Sequence, residues 1–391
     1  DRLVEQRLAA KAAAKAAPPG SPERHEQTAL SAAMKLVVNS AYGYLGATGL
    51  TRFADVHAAN EVTRHGRAVL ALLCRELAGR GVTLLEADTD GVYFAVPAGW
   101  TEADERRVVT EVAALLPARV HLEFDGRYAA MLSHEPKNYA LLPYDGPLVL
   151  RGVAFRSSRA EPFGEAFLRR ALEPLLAGDL VRVQAVYLAT VDALRKRTLP
   201  TRDVAARVRL TKRPEQYLAT RSRRELPYEA VLASGRTTWT AGEQVRVYRA
   251  TRGRSLVFVE PDDDDDTRTL AARDSPEPGE PGDLDDATDL LDAGGERDFP
   301  GARDPRDPRD PRDPRDYDVE HYLRVLRDTY AARFARALTP EDFAAIFADP
   351  EQPSLFARSL RDARPILTPI ALPEPMPDSE PASPTLHALH R

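Results

Sequence analysis

Two stretches of this 391-residue chain bring together residue types that can handle phosphate groups. The first is Lys35-Leu36-Val37-Val38-Asn39-Ser40-Ala41-Tyr42-Gly43, and the second is Asp88-Thr89-Asp90-Gly91. An ammonium can neutralise triphosphate charge, while an amide and an aromatic ring can grip a sugar and a base. Two carboxylates one residue apart offer hard oxygen ligands to Mg²⁺, which keeps waters and substrate phosphates in the rest of its shell. A pair of such ions supports in-line phosphoryl transfer.

The spacing says which elements must carry these groups. Leu30, Ala33, Met34, Val37 and Ala41 recur at intervals of three and four, the apolar stripe of an amphipathic helix, with Gly43 as its stop. On another face of that helix Lys35, Asn39 and Tyr42 fall at i, i+4 and i+7, so the three form a row. Taken singly, each has an ordinary reading as a solvated charge, a late-helix polar residue and a half-buried ring. Residues 82–87 and 92–96 read as two strands joined by the Asp-Thr-Asp-Gly turn. Aspartates are common turn formers, so the turn alone does not settle metal binding.

In order and spacing the two blocks resemble those of the family B DNA polymerases, in which a Lys-x-x-x-Asn-Ser-x-Tyr-Gly block on a fingers helix precedes an Asp-Thr-Asp palm hairpin. Between them, Val62-Thr63-Arg64-His65-Gly66-Arg67 is similar to the Thr-x-x-Gly-Arg helix that the family places behind its palm. Arg7 and Lys11, at i and i+4 in an Ala-rich stretch, resemble the basic pair on the first fingers helix, and Pro18-Pro19-Gly20 would turn the fingertip. Glu135-Pro136-Lys137-Asn138-Tyr139 resembles the Lys-Lys-x-Tyr block, with Pro136 standing where a first lysine is common. Read without the other blocks, Lys137 is a surface lysine on a strand leading into the Asp145-Gly146 turn.

The resemblance implies roles. Asp88 and Asp90 would be catalytic and bind Mg²⁺. Lys35, Asn39, Tyr42, Arg7 and Lys11 would bind the deoxynucleoside triphosphate, and Lys137 with Tyr139 would contact the primer terminus. It also implies a right-hand α+β architecture: fingers helices over 1–50, palm over 51–153, a mainly helical thumb over 154–261 and thumb C-terminal helices over 317–364. The palm would be a mixed sheet with helices on one side. The family's other metal-binding aspartate lies in a motif of the form Asp-x-x-Ser-Leu-Tyr-Pro-Ser, a string absent here. The expectation is a C-terminal portion without its own exonuclease, inactive alone, that joins a missing N-terminal polymerase segment; clamp partners stay undefined.

Charge supports the division. The net charge of −6 conceals a basic middle: residues 146–261 hold 22 basic and 11 acidic side chains. Such a surplus is the electrostatic footprint of a nucleic-acid partner and gains sequence-independent affinity through counterion release. Arg195-Lys196-Arg197, Lys212-Arg213 and the Arg223-Arg224 pair are the densest clusters, and they are candidate contacts for primer-template DNA. The alternative is a solvated mixed-charge surface.

Residues 262–316 open with five aspartates and end in tandem Arg-Asp-Pro triplets, a composition that cannot bury a core, so an extended insertion is expected. Beyond it, Tyr322, Leu323, Val325, Leu326, Tyr330 and Phe334 keep helical spacing and should pack back on the thumb. Residues 365–391 are Pro-rich and are expected to fray.

The single cysteine, Cys74, excludes an internal disulfide and fits a reducing cytosol. No run of 18 apolar residues points to a membrane. Two readings remain: template-directed DNA synthesis, or a non-catalytic DNA-binding or scaffold module derived from such an enzyme.

Overall fold

The structure is a computed structural model that describes residues 2–88, 91–118, 120–157, 159–251, 256–259, 313–349 and 359–372. Thr89 and Asp90, the insertion over 262–312 and the tail over 373–391 lie outside the described residues.

Helices α1 (Arg2–Ala16) and α2 (Pro22–Gly46) form an antiparallel hairpin. Gly20 turns it at φ +71°, and Ser21 caps α2 by accepting from the Arg24 amide. Two sequence expectations need correction. Gly43 does not stop α2, because a glycine costs a helix interior only about 1 kcal/mol and the helix continues to Gly46. The stripe through Leu30 and Val37 is not a core face either, since both are exposed. The face carrying Gln27, Thr28, Ser31, Met34 and Val38 is the more buried, and α1 is the main neighbour of α2 among the described residues.

Next come α3 (Val56–Gly79), capped by Asp55, the hairpin β1 (Thr83–Asp88) and β2 (Gly91–Ala95), and α4 (Glu102–Ala113) with a Thr101/Asp104 capping box. Leu73, Cys74 and Leu77 of α3, Leu84 of β1 and Val112 of α4 make a small core on one face of the hairpin. A second antiparallel sheet joins β3 (Tyr128–Glu135), β4 (Asn138–Pro143) and β5 (Val149–Arg151) in that order. A mixed palm sheet was expected, but all pairings among the described residues are antiparallel.

The largest core lies between this second sheet and the helices α5 (Pro162–Leu176) and α6 (Leu180–Arg195). The segment after the insertion closes it, as its spacing predicted: α10 (Val319–Val325) runs into a π-helical turn (Leu326–Tyr330) and a 3₁₀ segment (Ala331–Ala337), followed by α11 (Pro340–Ile346). Between α6 and α10 lie α7 (Thr201–Val204), β6 (Ala206–Arg209), α8 (Pro214–Ala219), α9 (Leu226–Ala233), β7 (Gln244–Arg249) and β8 (Leu256–Val259). The strands β6–β7–β8 form a third sheet around Tyr217, Tyr228 and Trp239, so the region read as mainly helical carries a sheet of its own. Strands this short, with arginines alternating along β6, give little apolar periodicity to read.

Both edges of the expected unstructured segments move. Within the insertion as read, Asp313 accepts from the Thr201 amide and Asp316 accepts from the Tyr248 hydroxyl at 2.7 Å. In the tail, the Ile366 amide donates to Ala337 O at 2.9 Å and the Ile370 amide donates to Leu84 O at 3.0 Å. Residues 366–370 are therefore an anchored strap from the 3₁₀ segment to the edge of β1. Among the described residues no helix is long and apolar enough to cross a membrane.

Candidate active site

A bulge organises the hairpin. Leu84 pairs with Phe94 and Glu86 with Tyr93, which leaves Leu85 without a register partner. In a regular strand Leu84, Glu86 and Asp88 would share one face. The extra residue puts Leu84 and Ala87 on the face covered by α3 and turns Glu86 and Asp88 together to the opposite one. That opposite face meets the second sheet, where the Tyr93 and Tyr139 rings lie 5.1 Å apart and their hydroxyls 3.2 Å apart. Burial, reinforced by the Tyr139 hydroxyl, pushes the Tyr93 phenol far above its ordinary range.

Asp88 ends β1 opposite Gly91, and its Oδ1 lies 3.6 Å from the Lys137 ammonium. Lys137 does not sit on a strand, as its surface reading had it, but in the two-residue turn between β3 and β4, at φ +64°. Three neighbours fix that turn. The Lys137 amide donates to Glu86 Oε1 at 2.8 Å. Asn138 accepts from the Ala154 amide at 2.8 Å and donates to Pro136 O at 3.0 Å. Gly152 packs so close that a Cβ there would fall 2.2 Å from Lys137 O.

The predicted nucleotide-binding residues all lie on the α1–α2 hairpin: Arg7 and Lys11 on α1, Lys35, Asn39 and Tyr42 on α2. Asn39 and Tyr42 are exposed and Lys35 is half-buried. Lys11 reaches Glu123 Oε2 at 3.4 Å, which links the hairpin to the stretch before β3.

The basic clusters are spread over the C-terminal half, and most have intrachain partners. Arg195 pairs with Asp349 at 2.7 Å, Lys196 with Asp192 at 2.9 Å, and Lys212 with Glu225. Arg197, in a left-handed conformation at φ +52°, donates to Arg315 O at 2.7 Å and faces the Tyr317 ring. The Arg213 amide donates to Gln216 at the start of α8, and Arg223 and Arg224 are exposed in the loop before α9.

For Mg²⁺ the donor chemistry fits at Asp88, whose carboxylate is partly exposed at the end of a strand, with Asp90 of the same turn outside the described residues. Among the described residues no three His, Cys, Asp or Glu side chains cluster as a metal site.

Glu86 is the site residue that the sequence reading missed. It is 5% exposed, and its second oxygen, Oε2, has no hydrogen-bond partner among the described residues. The only signal was its place two residues before Asp88, and within an apolar strand that spacing reads as an ordinary edge residue.

Residues 1–245 match DNA polymerase family B. DNA polymerase 1 of Pyrococcus abyssi (strain GE5 / Orsay) is 30% identical over 172 residues, which is 43% of this chain and 22% of that protein. The DNA polymerase of Archaeoglobus fulgidus is 27% identical over 216 residues, 55% of this chain and 27% of that protein. Among solved structures, the family B DNA polymerase from the hyperthermophilic archaeon Pyrobaculum calidifontis matches with a TM-score of 0.49 and 24% identity, covering 67% of this chain and 34% of that one. The chain thus spans only about a quarter of the length of these two curated relatives.

Proposed function

Because this chain belongs to DNA polymerase family B, we propose that it takes part in template-directed DNA synthesis, the transfer of a deoxynucleotide from its triphosphate to a primer 3′ end. In this reading it supplies fingers, part of the palm and the thumb, and acts with an upstream segment that brings the remaining metal-binding carboxylate. The observation that carries the reading is the convergence of Asp88 and Lys137, from two different sheets, to 3.6 Å. It joins the two sequence blocks assigned to metal and to primer.

The primer 3′ oxygen forms a bond to the α-phosphorus as the bond from that phosphorus to the bridging oxygen breaks, releasing pyrophosphate. Mg²⁺, held by Asp88 and Asp90, would supply charge neutralisation for the two oxygens involved. Lys35, Arg7 and Lys11 offset triphosphate charge, which favours departure of the pyrophosphate. Asn39 and Tyr42 shape the nucleotide pocket. Lys137 and Tyr139 hold the primer end, and Lys212, Arg213, Arg223 and Arg224, with the Arg195–Arg197 cluster, face the duplex backbone.

The test is primer extension with Mg²⁺ by this chain alone and by this chain joined to an upstream palm segment, each beside its Asp90→Ala variant. Extension by the joined form, lost in Asp90→Ala, supports the reading. Salt-sensitive binding of primed DNA without incorporation in any form replaces it with a scaffold role.

A further inference from the structure

A left-handed backbone is an uncommon state for a lysine, because it brings the Cβ too close to the following carbonyl oxygen. Lys137 nevertheless adopts it, at φ +64°. Residues held in such conformations persist where the surroundings over-determine them, and they cluster at functional sites.

Here the surroundings are named. The Lys137 amide donates to Glu86 Oε1 at 2.8 Å, across from one sheet to the other. A hydrogen bond to a carboxylate oxygen is among the stronger ones a backbone amide can make, and it offsets the cost of that conformation. The acceptor is buried, and burying a carboxylate with one oxygen unsatisfied is expensive. Stability alone is a poor reason for a glutamate at this position, since an apolar residue of similar volume would fill it more cheaply. What the glutamate adds is a fixed point: it ties the β3–β4 turn to β1, the strand that ends at Asp88 two residues on.

The geometric result lies on the same face. With its amide held by Glu86, Lys137 directs its ammonium back along β1 to within 3.6 Å of Asp88. The bulge at Leu85 is what allows Glu86 and Asp88 to face the turn together while Leu84 stays in the core.

We propose that Glu86 is a positioning residue: its buried carboxylate holds the Lys137 amide in the left-handed turn, and so sets the ammonium at the junction of the metal-binding hairpin and the primer end. This rests on the polymerase reading above. Glu86 touches neither primer nor nucleotide in this scheme and acts only through Lys137.

The experiment uses whichever form extends primers and compares wild type with Glu86→Gln, Glu86→Leu, Lys137→Ala and the Glu86→Leu/Lys137→Ala double variant. Incorporation kinetics are read beside hydrogen exchange at the Lys137 amide. Glutamine keeps a carbonyl oxygen able to accept the same bond. Glu86→Gln should therefore retain amide protection and stay within about threefold of wild type in kcat, because the bond is kept and only its charge is lost. Glu86→Leu should lose protection and fall in kcat by roughly 100-fold, the scale of a one-ångström misplacement, with the KM for the nucleotide unchanged. The double variant should be no worse than Lys137→Ala.

Equal damage from Gln and Leu would mean that the charge itself is needed, and overturns the proposal. Additive losses in the double variant overturn it too, as does a Glu86→Leu protein that extends primers like wild type. If wild type incorporates nothing in any form, the polymerase reading has failed and this one with it.

Discussion

The ring of Tyr330 fills the space that any side chain at Gly164 would need: a Cβ on Gly164 would fall 2.0 Å from the Tyr330 Cζ. Tyr330 belongs to the segment after the insertion and Gly164 to the first turn of α5, and the Tyr330 hydroxyl donates to the Glu161 carboxylate at 2.5 Å. Two stretches more than 160 residues apart are thereby interlocked. Gly164→Ala should destabilise the protein by about 1–3 kcal/mol, the usual cost of overpacking, read as a lower midpoint in urea. An unchanged midpoint would mean that the ring moves aside freely.

Lys137 separates function from stability. Its ion pair joins an exposed ammonium to the partly exposed Asp88 carboxylate at a loose 3.6 Å, and such pairs at the surface contribute only about 0–1 kcal/mol. Lys137→Ala should leave the melting temperature within a few degrees. Its affinity for primed DNA should fall, and the slope of log affinity against log salt should drop by about one. A melting temperature that collapses with the slope unchanged would sink that assignment.

Gly152 has no tolerated replacement. It sits at φ +80°, where a Cβ would strike Lys137 O. Gly152→Ala should abolish the Lys137 turn and lower primer extension at least as far as Lys137→Ala does. Near wild-type extension would show that the turn can shift without cost.

Glu229 contributes to acid stability. The Arg221 guanidinium, hydrogen-bonded to it at 2.9 Å, and the Tyr217 hydroxyl hold its carboxyl down to about 2, below its ordinary value near 4.5. A carboxyl lowered on folding stabilises the protein above its unfolded value and loses that contribution as pH falls through the folded one. Between about pH 4.5 and 2 the wild type should lose stability faster than Glu229→Gln. Parallel urea midpoints across that window would contradict the coupling.

Cys74 is fully buried in the α3 core, and burial pushes its thiol above the ordinary range. A maleimide reagent should label it only in denaturant. Rapid labelling of the native protein would show that α3 opens.

The sequence was most legible where one local pattern dominated. The short β-favouring runs on either side of the Asp-Thr-Asp-Gly turn placed β1 and β2 almost to the residue, and the spacing from Tyr322 to Phe334 foretold a helical return to the core. It was least legible where one residue changes a face. Nothing in Leu84-Leu85-Glu86 announces a bulge, yet that bulge decides that Glu86 faces Lys137 rather than α3. The stripe on α2 failed because periodicity tells which residues share a side and says nothing about where the neighbouring helix lies. The basic surplus was visible as a count, and the Lys196–Asp192 pair follows from i,i+4 spacing on a helix, but the pairing of Arg195 with Asp349 joins segments 154 residues apart.

The strap from Ile366 to Ile370 also sets an order of assembly. Leu84 O receives its partner from the Ile370 amide, 286 residues later in the chain of 391. During synthesis the outer edge of β1 can close only after α10, α11 and everything before them have emerged, and such late, distant pairings are slow to form. The strand that ends at Asp88 is thus among the last parts of the protein to be finished, and a nascent chain stopped short of residue 370 carries that strand with its edge still open.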